Sequence, residues 1–157
     1  MQITLLTVGK TDRDWVRQGL DIYVSRLKHY IPFTLTEIPE LKNVSALSKD
    51  QIKVKEGELI LKNVRPTDDL ILLDEHGKEY SSVQLAKILQ DKISYGCKDI
   101  VFVIGGAYGF SDAVYERANS KLSLSKMTFS HQMVRTIFAE QLYRAFTIMK
   151  GEPYHHE

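Results

Sequence analysis

The nine residues "VFVIGGAYG" (101–109) are where this chain is best placed to do chemistry. A fully apolar run stops at Gly105 and Gly106, and a third glycine, Gly109, follows three residues later. Glycines at the end of a strand let a backbone come close to a ligand. A phosphate-binding P-loop needs G-x-x-x-x-G-K-[ST], but Gly105 is followed five residues on by Phe110, with no Lys-Ser or Lys-Thr pair after it. A dinucleotide fingerprint needs G-x-G-x-x-G, usually after the first strand. Here the first apolar run ends in a lone Gly9, and the later loop reads G-G-x-x-G. Neither nucleotide signature is met. Taken alone, the loop is either a ligand cradle or a tight turn in which glycine supplies positive φ.

A second concentration of chemistry lies toward the C-terminus. From Arg117 to Glu157 there are six Lys/Arg (Arg117, Lys121, Lys126, Arg135, Arg144, Lys150) against three Glu, together with His131, His155 and His156. This modestly basic third suits an anion such as nucleic acid, or equally a solvated mixed-charge surface. In "HQMVRTIFAEQLYRAFTIMK" (131–150), Val134, Ile137, Phe138, Leu142, Ala145, Phe146, Ile148 and Met149 cover a wide arc at helical spacing. That arc exceeds the need of one sheet face and predicts a homodimer through this helix. Arg135 breaks the apolar side. It requires an acceptor, an anionic ligand, or a snorkelling path to water. Glu140 and Arg144 form an i,i+4 pair in the favourable order.

The elements that must carry these residues alternate along the chain. Strand-like runs fall at 3–8, 33–38, 70–74, 99–105 and 121–126, and helix-period segments at about 12–30, 48–63, 81–96, 111–119 and 132–149. Ser48 with Gln51 and Ser81 with Gln84 are capping-box pairs. Such alternation predicts an α/β fold in three layers, with a mainly parallel sheet of five or six strands and helices on both faces. Runs that are apolar throughout suit strands buried on both sides. Ligands of such sheets bind at the carboxyl ends of strands, where the glycine loop and Leu73-Asp74 fall.

A length of 157 residues and a net charge of +1 predict a single domain over 1–157 that is not a polycation. No run approaches the ~20 apolar residues of a membrane span. No basic segment precedes the first apolar run, and Cys97 is the only cysteine, expected at a small buried or turn position. A cytoplasmic protein without metal or membrane partner is expected.

Several segments together resemble one family: "VFVIGGAYGF", "LSLSKMTFSHQMVR" and "AEQLYRAFTIMKGEPYHHE", with "KEGE" (55–58), "LLDEHGK" (72–78) and the N-terminal "ITLLTVGK". In order and over essentially the whole chain, they resemble the RlmH (YbeA-type) branch of the SPOUT methyltransferases. The resemblance implies an S-adenosyl-L-methionine-dependent enzyme that methylates N3 of a pseudouridine in 23S ribosomal RNA, preferably on assembled ribosomes. It also implies a C-terminal trefoil knot and a homodimer. Position by position, it implies a cofactor site at Leu73, Gly105, Gly106, Leu124, Ser125, Lys126, Met127, Thr128 and Phe129. The Tyr154-His155 tail becomes the catalytic candidate, with His155 facing the substrate and available as a base. Arg135, His131 and His156 become the RNA candidates, Arg135 also as organiser of a dimer-shared pocket. The chain departs from the family pattern at His156, where an Arg or Lys is usual. Two other readings stay open: a SPOUT methyltransferase acting on tRNA, and a ribosome-associated factor that keeps the fold without the chemistry.

Overall fold

A computed structural model describes residues 1–96 and 98–156; Cys97 lies outside them. The chain runs β1 (Ile3–Val8), α1 (Asp14–Leu27), β2 (Phe33–Ile38), α2 (Lys49–Lys62), β3 (Asp69–Glu79), α3 (Ser82–Asp91), β4 (Ile100–Ile104), α4 (Asp112–Arg117), β5 (Ser120–Ser123) and α5 (Met133–Met149). All described strand pairs are parallel, in the order β2-β1-β4-β3-β5. The expected alternation is therefore present, with five strands.

The strands alternate their side chains between two cores, as the pleat requires. On one face Ile3, Leu5, Ile71, Ile100, Phe102 and Ile104 meet Leu27 of α1, Leu85 and Leu89 of α3, and Phe138 and Leu142 of α5. Phe102 and Phe138 pack edge to face at 4.9 Å between ring centres. On the other face Leu6, Val8, Leu70, Leu72, Val101 and Val103 meet Ile60 of α2, Val114 of α4 and Phe110. Three layers result, with α1, α3 and α5 below the sheet and α2 and α4 above.

Both capping boxes form: Ser48 Oγ and Ser81 Oγ accept from the backbone N–H of Gln51 and Gln84, whose side chains accept in return. Beyond α3 the chain continues as one π-helical turn, Lys92–Gly96, where the sequence suggested only a helix stop. Two strands differ from expectation. β3 runs on to Glu79 through the turn-like "DEHGKE", because it pairs with β5 twice, before and after an irregularity between Leu73 and Lys78. β5 is shorter than 121–126, ending at Ser123, so Leu124–Lys126 are free of the ladder.

The wide apolar arc of α5 is consumed inside the protomer. α5 packs against α1 and α3 as well as the sheet, burying Val134, Phe138, Ala139, Leu142, Ala145 and Phe146. Helix neighbours on both flanks account for most of the arc, while Ile137, Ile148 and Met149 stay half-buried.

Candidate active site

Three chain segments converge at the carboxyl end of the sheet. The end of β3 gives Leu73, Asp74, Glu75 and His76; the loop after β4 gives Ile104 through Phe110; the segment between β5 and α5 gives Leu124, Ser125 and Met127 through His131. Together with Tyr115, Leu122 and Val134 they enclose a cavity of about 530 Å³, within the ~300–1,000 Å³ typical of small-molecule sites. β3 and β4 are adjacent in the sheet with β5 outside β3, which sets Leu73 beside Ile104, 31 positions on in sequence, at one rim.

The loop glycines have distinct physical roles. Gly109 has φ +84, a left-handed conformation that L side chains rarely adopt. Gly105 and Gly106 lack positive φ, so the turn itself does not demand them. A Cβ at Gly105 would stand 3.0 Å from the Phe110 ring, and one at Gly106 2.8 Å from both Glu56 carboxyl oxygens. Their missing side chains let the loop lie flat on Phe110 and Glu56 while its backbone faces the cavity. Burial, and then the neighbouring Glu40 charge, push the Glu56 carboxyl above its ordinary value. Glu56, of the "KEGE" segment, thus floors the loop from behind.

The far wall is tied down by hydrogen bonds. Ser123 Oγ donates to Ser125 O at 2.7 Å, and Ser125 Oγ accepts from Met127 N–H at 3.0 Å. Thr128 Oγ1 donates to Glu75 Oε2 at 2.6 Å. Ser130 Oγ accepts from the N–H of Gln132 at 3.2 Å as α5 begins.

Eight of the nine expected cofactor residues line the cavity: Leu73, Gly105, Gly106, Leu124, Ser125, Met127, Thr128 and Phe129. Lys126 belongs to the same segment but is not among the lining residues and is exposed. His131 is on the cavity wall.

Arg135 requires a correction. It is fully buried, so neither RNA contact nor snorkelling to water describes it. Its Nε donates to His131 O at 3.0 Å, Nη1 to Gly9 O and Thr11 Oγ1 at 2.9 Å each, and Nη2 to Val8 O at 3.0 Å. The required partner is thus the chain's own backbone at the end of β1, together with Glu37 at 3.5 Å. Burial opposes charge on the guanidinium, which the Glu37 and Asp12 carboxylates partly offset. Glu37 also takes Arg17 Nη2 at 2.8 Å and Thr11 N–H at 2.7 Å. Burial alone would raise its carboxyl, but hydrogen bonds from Thr11 and Arg17 outweigh it and hold Glu37 below the usual range.

The tail stands elsewhere. Tyr154 donates to Glu140 Oε2 at 2.8 Å and packs edge to face on Tyr143 at 4.7 Å. The Arg144 guanidinium lies over the Tyr154 ring, 4.7 Å from its centre, and its Nη1 is 3.1 Å from His155 Nδ1. A guanidinium only donates, so Nδ1 accepts here. Tyr30 donates to Glu152 Oε2 at 2.7 Å. Neither Tyr154, His155 nor the exposed His156 lines the cavity. The cavity meets α5 at Val134, and Arg144 lies ten residues further on, roughly 15 Å at 1.5 Å per residue. Within one protomer the tail and the cavity are apart.

Sequence reasoning put Asp74 at a ligand-binding strand end without a role and left out Glu75, Tyr108 and Tyr115, although all four line the cavity. The segment "LLDEHGK" was visible, but nothing in it signalled that β3 continues along the rim. Among the described residues no group of His, Cys, Asp and Glu could hold a metal ion, and no helix is long and apolar enough to cross a membrane.

The family model described as "Predicted SPOUT methyltransferase" matches residues 1–155. A protein named ribosomal RNA large subunit methyltransferase H from Parabacteroides distasonis is 56% identical over 157 residues, all of both chains. One of the same name from Flavobacterium psychrophilum is 57% identical over 157 residues, again all of both chains. Among solved structures, the SpoU methyltransferase AviRb from Streptomyces viridochromogenes, in complex with AdoMet, is similar over 96% of this chain and 61% of that one, at 10% identity and a TM-score of 0.44.

Proposed function

We propose a function on the premise that this chain belongs to the SPOUT methyltransferase family: S-adenosyl-L-methionine-dependent methylation of ribosomal RNA, at N3 of a pseudouridine in 23S rRNA on assembled ribosomes. The chain works as one domain and as a homodimer, with the trefoil-knotted C-terminal half of its family. The observation that carries the reading is the convergence of the 105–109 loop, the 124–130 segment and the end of β3 around one cavity. Relatives identical at 56% and 57% over their full length carry the name of a large-subunit rRNA methyltransferase.

The residues present fit the cofactor. Ile104, Leu122 and Val134 are buried beneath Leu73 and Leu124, an apolar slot suited to the flat adenine, and the backbone of Gly105 and Gly106 is free of side chains at its edge. Bound there, the cofactor supplies an electrophilic methyl group on a sulfonium. The protein's own task is positioning, because an in-line displacement needs nucleophile, methyl and leaving sulfur aligned. The N3 proton must also leave. His131 is placed on the cavity wall to contact the substrate base. Tyr154 and His155 reach such a base only from a second copy; there Arg144 releases the Nδ1 lone pair of His155, which takes the N3 proton, while His156 contacts the RNA.

A second copy has a surface to cover. Asp12 N–H donates to Gln132 Oε1 at 3.0 Å and Thr136 Oγ1 to Val16 O at 3.0 Å, joining the starts of α1 and α5. At this end Trp15 is 61% and Met133 44% exposed, and exposed apolar side chains of this size suit burial in an interface.

The deciding experiment is methyl transfer from labelled cofactor to undermodified ribosomes, with the product mapped by mass spectrometry. Label at N3 of a 23S pseudouridine supports the reading. Label in tRNA alone reassigns the substrate, and failure of the folded protein to bind the cofactor leaves only the non-catalytic factor.

A further inference from the structure

Two carboxylates at the mouth of the cavity have no part in the mechanism above. Asp74 and Glu75 follow Leu73, where β3 leaves its first stretch of pairing with β5. Asp74 Oδ1 accepts from His76 N–H at 2.9 Å, and its other oxygen accepts from the Tyr115 hydroxyl of α4. Burial, and then this hydrogen bond, push the Tyr115 phenol up, so it stays a donor. Glu75 Oε2 accepts from Thr128 at 2.6 Å, and Oε1 lies 3.6 Å from His76 Nε2. Two negative groups are thus fixed from three walls of one cavity. Its interior is apolar, with Ile104 3% and Leu122 5% exposed, while Glu75 and His76 are exposed at the rim. Among the described residues no lysine or arginine lines the cavity; its cationic candidates are His76 and His131.

We propose that Asp74 and Glu75 form an anionic collar that selects the sulfonium cofactor over its spent, thioether form. The inference rests on the cofactor reading of this cavity. Cofactor and product share adenosine, ammonium and carboxylate groups. Loss of the methyl as a cation equivalent leaves its bonding electron pair on sulfur and removes one positive charge. The apolar slot and the loop backbone interact with what the two share, so they cannot tell them apart. A fixed pair of carboxylates at the half-exposed mouth interacts with the difference. Selection is a difference of affinities, and one unit of charge supplies it. The collar therefore favours exchange of product for fresh cofactor after each transfer.

The test is calorimetry with S-adenosylmethionine and S-adenosylhomocysteine on wild type, Asp74→Asn, Glu75→Gln and the double variant. Asp91→Asn, at the end of α3 where the chain returns to the start of β4, matches the one-unit charge change of each single variant away from the cavity. The expected result is an about threefold to tenfold weaker cofactor affinity in the double variant, with product affinity changed by less than about twofold. Wild-type cofactor binding should weaken with added salt more than product binding does, and Asp91→Asn should behave as wild type. Equal losses for both ligands would make the carboxylates merely structural and overturn the proposal, as would unchanged affinity for both. If folded wild type binds neither ligand, the cofactor reading itself fails and takes the collar with it.

Discussion

Arg135 and Glu37 meet inside the protein at 3.5 Å, the arginine wholly out of solvent and the glutamate shared with Arg17. The contact joins the end of β1, β2 and the start of α5, and through His131 O it also holds the segment that walls the cavity. Removing one partner of a buried pair leaves the other charge uncompensated. Arg135→Ala should therefore cost about 3–5 kcal/mol in urea unfolding. Arg135→Lys should also be destabilised, because one ammonium cannot replace a fork that reaches five acceptors. A loss below about 1 kcal/mol for the alanine variant would contradict this account.

Glu37 and Glu56 should respond to pH with opposite signs. The folded carboxyl of Glu37 is held below its usual 4.5. Its stabilisation is complete above that value and is lost as pH falls through the folded value. Glu56 is pushed above 4.5, so its effect is favourable at low pH and fades as pH rises through the folded value. At pH 7 Glu37→Gln should lower stability and Glu56→Gln raise it, and both differences should shrink in acid. Denaturation curves between pH 3 and 7 check both signs.

The two loop glycines should tolerate alanine unequally. At Gly105 the new methyl meets a Phe110 ring that is 6% exposed and packed in the core, whereas at Gly106 it meets the flexible end of Glu56. Gly105→Ala should cost about 1–3 kcal/mol as an overpacking change and lose cofactor binding. Gly106→Ala should cost less, and Glu56→Ala added to it should restore wild-type behaviour. Equal losses for the two single variants would refute the distinction.

Gly77 should be the least replaceable glycine of the rim. A Cβ there would lie 2.8 Å from Leu122 N and Lys121 C, both backbone atoms of β5. Backbone cannot rotate aside, so Gly77→Ala should part β3 from β5. Hydrogen exchange should rise at residues 120–123 while β1 and β4 stay protected.

Tail variants should separate binding from turnover. His155→Ala and Tyr154→Phe leave the cavity lining intact, so calorimetry should find normal cofactor affinity while methyl transfer falls by roughly 10²-fold or more. Mixed dimers offer a sharper test. A protomer carrying Gly105→Arg paired with one carrying His155→Ala should regain activity, whereas silent mixed dimers would place the tail's action within one chain.

Much of the fold was readable because it is local. Apolar runs marked β1 and β4, alternation of apolar and polar residues marked β2, and Ser-Gln pairs marked the starts of α2 and α3. The strand order β2-β1-β4-β3-β5 was not readable, since nothing local says which parallel strands become neighbours. β3 was cut short at Asp74 because the residues up to Gly77 look like a turn; they fall in the irregularity, and only the renewed pairing of Lys78 and Glu79 with β5 carries the strand on. Arg135 was noticed as an anomaly, but its acceptors lie 98 to 127 positions away at Val8, Gly9, Thr11 and Glu37. The glycine loop and Leu73-Asp74 were marked by their place at strand ends, and the 124–129 segment by family likeness; their meeting depends on the same long-range order.

α5 seals the face of the sheet that α1 and α3 leave open between them. During synthesis, at ~5–20 residues per second, that greasy seam stays uncovered until residues 133–149 have left the ribosome's exit tunnel. The nascent chain must spend this interval shielded by chaperones or risk clumping with its neighbours. Slowing translation upstream of codon 133 should therefore lower the soluble yield.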